Sequence, residues 1–524
     1  MNTRIAAPLL LGAALACAAA PLAAQAPGSR AVFRVTLPAG DSLTGGAPVS
    51  GRLLVMMSRT RPASAEQPLA PGLDPEEVWV AAREVTGLRP GGSVVVDADS
   101  LAAPRPFSRM PAGRRWVMAL LDADHNANWS TFTPGDLVSP VDSADAAGTR
   151  AASTELVLRH RIPSRPLPAL DTAAVKVVEL ASPLLSTFWK RPVVLRMSVH
   201  LPPDSEAVST PEGPRFRAVY HVPGWGASLR TGLTYGREQV AKMREGGERG
   251  AVHVFFEPGF PTGHPVFANS ANNGPWADAL VREVIPHLER RFGLIPDARA
   301  RFLTGHSSGG WATLWLQVSR PDFFGGTWST TPDLPDFSDF QGVDVRPGSR
   351  DNFFRAADGR PRPFARVGGR DVGSLEDAAR LEAVLGPGGQ LASFEAVFGP
   401  RGRDGRPVPL FDRATGRMDP AVQRAWAAYD IRALLERDRA TLLPRLRGKL
   451  HVLAGGSDTF HLEGSTAKLC AFLRGAGSDA VCEIVPGRGH FDLQQPFDTY
   501  PHGLEHRFGA EMQRTFDASW RSTP

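Results

Sequence analysis

Arg301-Phe302-Leu303-Thr304-Gly305-His306-Ser307-Ser308-Gly309-Gly310-Trp311 holds a Gly-x-Ser-x-Gly motif at the junction of two different patterns. Residues 299–305 read as a short apolar strand and 307–318 as a helix. A sharp strand-to-helix turn of this kind lifts a serine hydroxyl above the edge of a sheet, and small residues on either side keep the backbone from clashing. The helix that starts there also aims its free amides and positive dipole end at any oxyanion formed beside it. The motif therefore predicts Ser307 as a nucleophile and the amide of Ser308 as an oxyanion donor.

A serine is a weak nucleophile at neutral pH, so the reading requires a base and an acid that orients it. In a fold of this kind they follow in the order Ser, Asp or Glu, His, each just past a later strand. Residues 450–454 form such a strand and run through Gly455-Gly456-Ser457 into Asp458. Residues 482–485 form the last strand and run through Pro486-Gly487-Arg488-Gly489 into His490. Asp458 and His490 are the assigned pair. Asp333 and Asp336, after the strand 326–330, remain alternatives for the acid, and His461, His502 and His506 for the base. A second oxyanion donor is expected from the loop after an early strand, where Tyr220-His221-Val222-Pro223-Gly224-Trp225-Gly226 offers the amide of Trp225. Trp328, at a strand end, and Asn273 and Trp276, in a polar and aromatic loop, are the expected substrate contacts. Trp311 and Trp315 lie four apart on the elbow helix and read as core.

Around this motif, 193–201, 216–222 and 252–257 have the apolar density of buried strands, and 277–292 is an amphipathic helix that Pro286 should kink or split. Strands alternating with helices predict an α/β fold with a mostly parallel central sheet, over residues 169–524. Residues 334–432, rich in Gly, Pro, Arg and Asp, interrupt the alternation as a cap-like insertion with helices at 375–385 and 420–435. Before it, 27–168 is a succession of short strands (31–37, 51–58, 93–96, 115–121 and 155–161) parted by turn residues, which predicts an all-β sandwich. Asp122, Asp124 and Asn126 have the spacing of a calcium loop, yet Ala127 stands where glycine is needed, so a polar hairpin turn is expected.

The chain has 524 residues, 53 glycines, 47 prolines and a formal net charge of +5. The excess is scattered arginine rather than a basic patch, so no nucleic-acid partner is expected. Residues 1–26 have one arginine, an alanine- and leucine-rich run and Ala24-Gln25-Ala26, the pattern of a cleaved secretory signal peptide. Lipidation at Cys17 is the lesser alternative. No apolar run long enough to span a membrane follows, so a periplasmic or secreted protein is expected. An oxidising compartment makes a disulfide between Cys470, on a helical pattern, and Cys482, on the next strand, the expected state. With no His-Glu-x-x-His, no phosphate-binding Gly-rich Lys motif and no paired Cys-x2-Cys, neither metal nor nucleotide cofactor is expected.

Val199-His-Leu-Pro-Pro203, 220–226, the helix 281–292, 301–311, 455–458 and 487–490 together resemble the Putative esterase family of α/β-hydrolases, which includes esterase D-like, feruloyl and enterochelin esterases and mycolyltransferases. The resemblance runs from about residue 193 to the C-terminus. It implies Ser307, Asp458 and His490 as triad, and Trp225 with Ser308 as oxyanion hole. The chain departs from the compact members in its N-terminal β-region and in the length separating Ser307 from Asp458. The expected activity is that of an exported serine carboxylic-ester hydrolase working through an acyl-enzyme on a small-molecule or glycoside-linked ester. An acyltransferase with the same triad and a non-catalytic binding protein on the same scaffold are the alternatives.

Overall fold

The structure is a computed structural model that describes residues 31–521 apart from 41, 63–68, 131, 147–153, 165, 169, 172 and 204–215. The leader, Cys17 and the Ala24-Gln25-Ala26 site lie outside the described residues.

The N-terminal region is all β. Val32–Thr36 pairs antiparallel with Ser93–Asp97 and parallel with Thr154–Val157, making a small sheet. A larger sheet is centred on Val49–Ser58, flanked antiparallel by Val78–Leu88 and Arg114–Asp122. Phe33, Val35 and Leu156 from the first sheet share a core with Leu53, Val55, Met57 and Trp79 from the second. Leu54 and Met56 point the other way and pack with Val80, Met118, Val384 and Leu385. Leu53 to Met57 is an unbroken apolar run because both faces of that strand are covered. Residues 155–161, expected as one strand, form two: Leu158 N donates to Thr36 O and Arg159 N to Val138 O, so the chain crosses from one sheet to the other at that step.

Eight strands form the central sheet: β1 (Val175–Ala181), β2 (Val194–His200), β3 (Arg217–Val222), β4 (Ala251–Phe256), β5 (Arg301–His306), β6 (Gly326–Thr330), β7 (Leu450–Gly455) and β8 (Val481–Val485). Their order is β1-β2-β4-β3-β5-β6-β7-β8. β2 pairs antiparallel with β1 and β4, and every pairing from β4 across to β8 is parallel. The helices that bear on the site are α1 (Leu229–Glu245), α2 (Ser308–Ser319), α3 (Leu375–Leu385), α4 (Gln390–Phe398), α5 (Glu463–Gly475) and α6 (Leu504–Arg521).

The predicted helix at 277–292 is split. Trp276–Ala279 and Ile285–Phe292 are joined by a π turn at Leu280–Val284, and Pro286 falls in the first turn of the second piece, where no backbone N–H is needed. Between β6 and β7, α3 is opened by a capping box in which Ser374 and Asp377 satisfy each other's backbone amides. The stretch 420–435 divides into Pro420–Trp426 and Ile431–Arg437, because the buried Asp430 adopts extended backbone and caps the second helix through the Ala433 amide. Among the described residues no helix is long and apolar enough to cross a membrane.

Candidate active site

β5 delivers Ser307 into a backbone conformation that few side-chain-bearing residues adopt, with φ 57° and ψ −124°. The turn is held by Ser307 N donating to Thr330 O at 3.0 Å. The flanking glycines are required by space. A Cβ on Gly305 would lie 2.3 Å from Gly309 O, and one on Gly309 would lie 1.8 Å from Val222 O. Gly224 comes as near from the other side, where a Cβ would sit 3.2 Å from the Ser307 Cβ. The loop carrying Trp225 is therefore pressed against the elbow.

Asp458 and His490 meet across the ends of β7 and β8. His490 Nδ1 lies 2.9 Å from Asp458 Oδ2, and Asp458 Oδ1 accepts the Phe460 amide at 2.8 Å. The two loops are bound to each other by backbone: Gly456 N donates to Val485 O and Ser457 N to Arg488 O. Phe460, Phe491 and His306 surround the His490 ring. Burial, with His490 as neighbour, holds His306 well below the ordinary histidine range, so it stays neutral. Behind these loops, the disulfide Cys470–Cys482 joins α5 to β8, with α-carbons 5.6 Å apart.

A second carboxylate lies at the nucleophile. Asp333 follows β6 and accepts hydrogen bonds from Ser307 Oγ at 3.3 Å, from Ser308 Oγ, and from Gln390 Nε2 at 3.1 Å. Burial pushes its carboxyl up to about 6, although the serine hydroxyls and the charge of His490 act against that. Gln390 begins α4 and also donates to Ser308 Oγ at 3.0 Å. Nothing in the sequence around Gln390 marks it, since its role arises from the docking of the insertion over the elbow.

Ser307, His490, Asp333 and Trp225 line one cavity of about 790 Å³. Phe364, Phe394 and Phe460 give it an aromatic wall, and Leu73 reaches in from the N-terminal β-region. The three expected substrate contacts lie elsewhere. Trp328 is fully buried, stacks on His451 at 4.3 Å and donates its indole N–H to Glu511 of α6 at 2.7 Å. Asn273 accepts from Thr262 at 2.8 Å, and Trp276 packs against Phe260 and Phe267. Among the alternatives, Asp336 bonds through its amide to Ser465, His461 lies against Arg366 and Asp371, and His502 stacks on His506 at the start of α6. At 122–136, ligand atoms of Asp122, Asp124 and Asp136 lie within 4.8 Å of one another. These carboxylates accept the amides of Ala123, Asn126, Ala127 and Thr133.

A mainly parallel sheet with a strained serine at one strand end and a paired aspartate and histidine at two others is an arrangement of the α/β-hydrolase type. Residues 194–358 match the family described as "Putative esterase". That match lies over an esterase domain within the chain and supports carboxylic ester hydrolase activity. Its sheet is also similar to solved structures at low identity. One is a ferulic acid esterase, at 14% identity and TM-score 0.41, with 66% of this chain and 99% of the other covered. A second is a fluorophosphonate-binding serine hydrolase F of Staphylococcus aureus, at 12%, TM-score 0.38, 66% and 98%. A third is MPT51 of Mycobacterium tuberculosis, at 16%, TM-score 0.38, 66% and 98%. Among curated proteins none matches the chain.

Proposed function

We propose that the protein is an exported serine carboxylic-ester hydrolase in which Ser307, His490 and Asp458 act as a triad. The observation that carries the reading is one cavity lined by both the strained Ser307 and the histidine that Asp458 holds by Nδ1. With Nδ1 engaged by the carboxylate, His490 has Nε2 free to take the Ser307 proton as the hydroxyl attacks an ester carbonyl. Asp458 stabilises the imidazolium that results. The tetrahedral oxyanion is received by the amides of Trp225 and Ser308, two groups that among the described residues donate to no carbonyl. His490 returns the proton to the departing alcohol, then draws a proton from water as that water attacks the acyl-enzyme, and Ser307 is regenerated.

The Cys470–Cys482 bridge is consistent with an oxidising compartment and so with export. Residues 27–168 act in this reading as a β-module that supports the insertion at 334–432. The test is hydrolysis of p-nitrophenyl and hydroxycinnamoyl esters by wild type and Ser307→Ala. The variant is expected to lose on the order of 10⁴- to 10⁶-fold in rate. Equal rates for the two proteins would remove Ser307 from the mechanism.

A further inference from the structure

Asp333 is a carboxylate at the nucleophile that, among the described residues, forms no ion pair. It is 5% exposed, it lines the cavity, and among the described residues its side-chain donors are all neutral: two hydroxyls and an amide. The titratable groups that act on it, His490 and Asp458, are already paired with each other. A buried carboxylate in that position is costly unless a cation joins it. Its rise to about 6, driven by burial, is the same fact seen from the proton's side.

Acylation sharpens the need. Once Ser307 Oγ becomes an ester oxygen it has no hydrogen to give, and Asp333 Oδ1, 3.3 Å away, loses that donor. A substrate group that replaces the lost hydrogen bond must sit beside the acyl carbonyl, because Oδ1 is fixed within reach of the atom bonded to it. An ammonium on the α-carbon, two bonds from the carbonyl carbon, meets that condition and brings the missing charge. Gln390 spends its N–H donors on Asp333 and Ser308 and keeps Oε1 as a second acceptor for such a group.

We propose that Asp333, with Gln390, is a binding site for an ammonium α to the scissile carbonyl, so that the acyl group accepted is an amino acid. This rests on Ser307 as the acylated nucleophile. The leaving group is set elsewhere in the cavity.

The experiment compares phenylalanine methyl ester with methyl 3-phenylpropanoate, which differ only in the α-ammonium. kcat/KM for each is measured by pH-stat at neutral pH for wild type and Asp333→Asn and divided by the hydroxide-catalysed rate of that ester. Wild type should favour the amino ester by about tenfold or more, the worth of one charge-assisted hydrogen bond. Asp333→Asn should lower that ratio about tenfold. In parallel, calorimetric titration of Ser307→Ala with each unhydrolysed ester should show tighter binding of the amino ester, a readout that does not depend on the folding of the Asp333 variant. A ratio near one in wild type, or the same ratio in both proteins, would overturn the proposal. Hydrolysis of methyl 3-phenylpropanoate alone would do the same and leave the esterase reading standing. Preferential binding to Ser307→Ala without turnover of either ester by wild type would support the ammonium site and count against the esterase reading.

Discussion

Asp458 and Asp333 are both buried carboxylates, the first behind His490 and the second lining the cavity, and their partners divide their roles. Asp458 holds a histidine, whereas Asp333 meets only neutral donors and is raised to about 6. The proposed ammonium contact needs Asp333 ionised and the substrate amine charged. Free enzyme below about pH 6 has Asp333 protonated, and the substrate ammonium, made more acidic by its neighbouring ester than the ordinary α-amino group at about 8, loses its charge from near neutrality upward. The ratio of the two methyl-ester rates should therefore peak between these limits and fall on both sides. Taking a ratio cancels any pH effect that both substrates share. His490 and Asp458 are the titratable groups facing Asp333, so a ratio flat from pH 5 to 9 would separate Asp333 from the preference. At this scale the sequence was legible wherever chemistry requires a strand end: Ser307, Asp458 and His490 each follow a short apolar run and a glycine. It was not legible for Trp328. Both faces of β6 are buried, so nothing in Thr327-Trp328-Ser329 tells which face the indole takes, and it turns toward α6 rather than the cavity.

Among the elements, α1 shows how packing can erase a pattern. Its inner face includes Gly232 and Gly236, and a Cβ at Gly232 would lie 2.8 Å from both Phe255 Cβ and Ser198 Oγ. A helix that packs this closely through glycines leaves few apolar residues to reveal its period, and it was not anticipated. The long strand Val78–Leu88 was missed for the opposite reason: its first half is buried on both faces and its second half turns polar, so no single alternation runs through it. Where an element announces itself by chemistry rather than periodicity, reading was easier. Cys470 and Cys482, on a helix and on the strand after it, are joined. The bridge ties the helix that follows the Asp458 loop to the strand that leads into the His490 loop. Replacing both cysteines by serine should cost about 3 kcal/mol, from the chain entropy that this short loop no longer removes from the unfolded state. Urea unfolding followed by loss of esterase rate would register it as a lower midpoint, and an unchanged midpoint would show that the backbone bonds between the two loops suffice.

For the molecule as a whole, the unexpected relation is between the N-terminal β-region and the insertion. Asn128 donates to the carbonyls of Glu382, Gly386 and Pro387, and Arg52 to those of Ala383 and Val384. The β-region thus caps the end of α3, a task usually done by the helix's own following residues. Three residues past the last of those carbonyls the chain reaches Gln390. Asn128→Ala leaves three carbonyls without that donor, which should cost about 1–3 kcal/mol. It should also raise amide hydrogen exchange at 386–392 and lower kcat/KM on both methyl esters. Unaltered exchange in that segment would mean that the β-region plays no part in holding it. Such a link between segments hundreds of positions apart leaves no trace in either segment read alone, which is why the insertion could be seen as an interruption but not as the roof of the site.

The order of the sheet also sets the order in which the molecule can be completed. β6 and β7 lie side by side, yet the whole insertion separates Thr330 from Leu450 along the chain. Closing so long a loop costs only slightly more than closing a short one at equilibrium, but pairing strands so distant in sequence is slow. A chain emerging from its N-terminus holds Ser307 well before it holds Asp458, and holds Asp458 before His490. In the proposed triad the serine therefore waits without its base through most of the synthesis that follows it, and no truncated chain that stops short of β8 carries the proposed set. The proposed activity in this way depends on a chain that has passed β8.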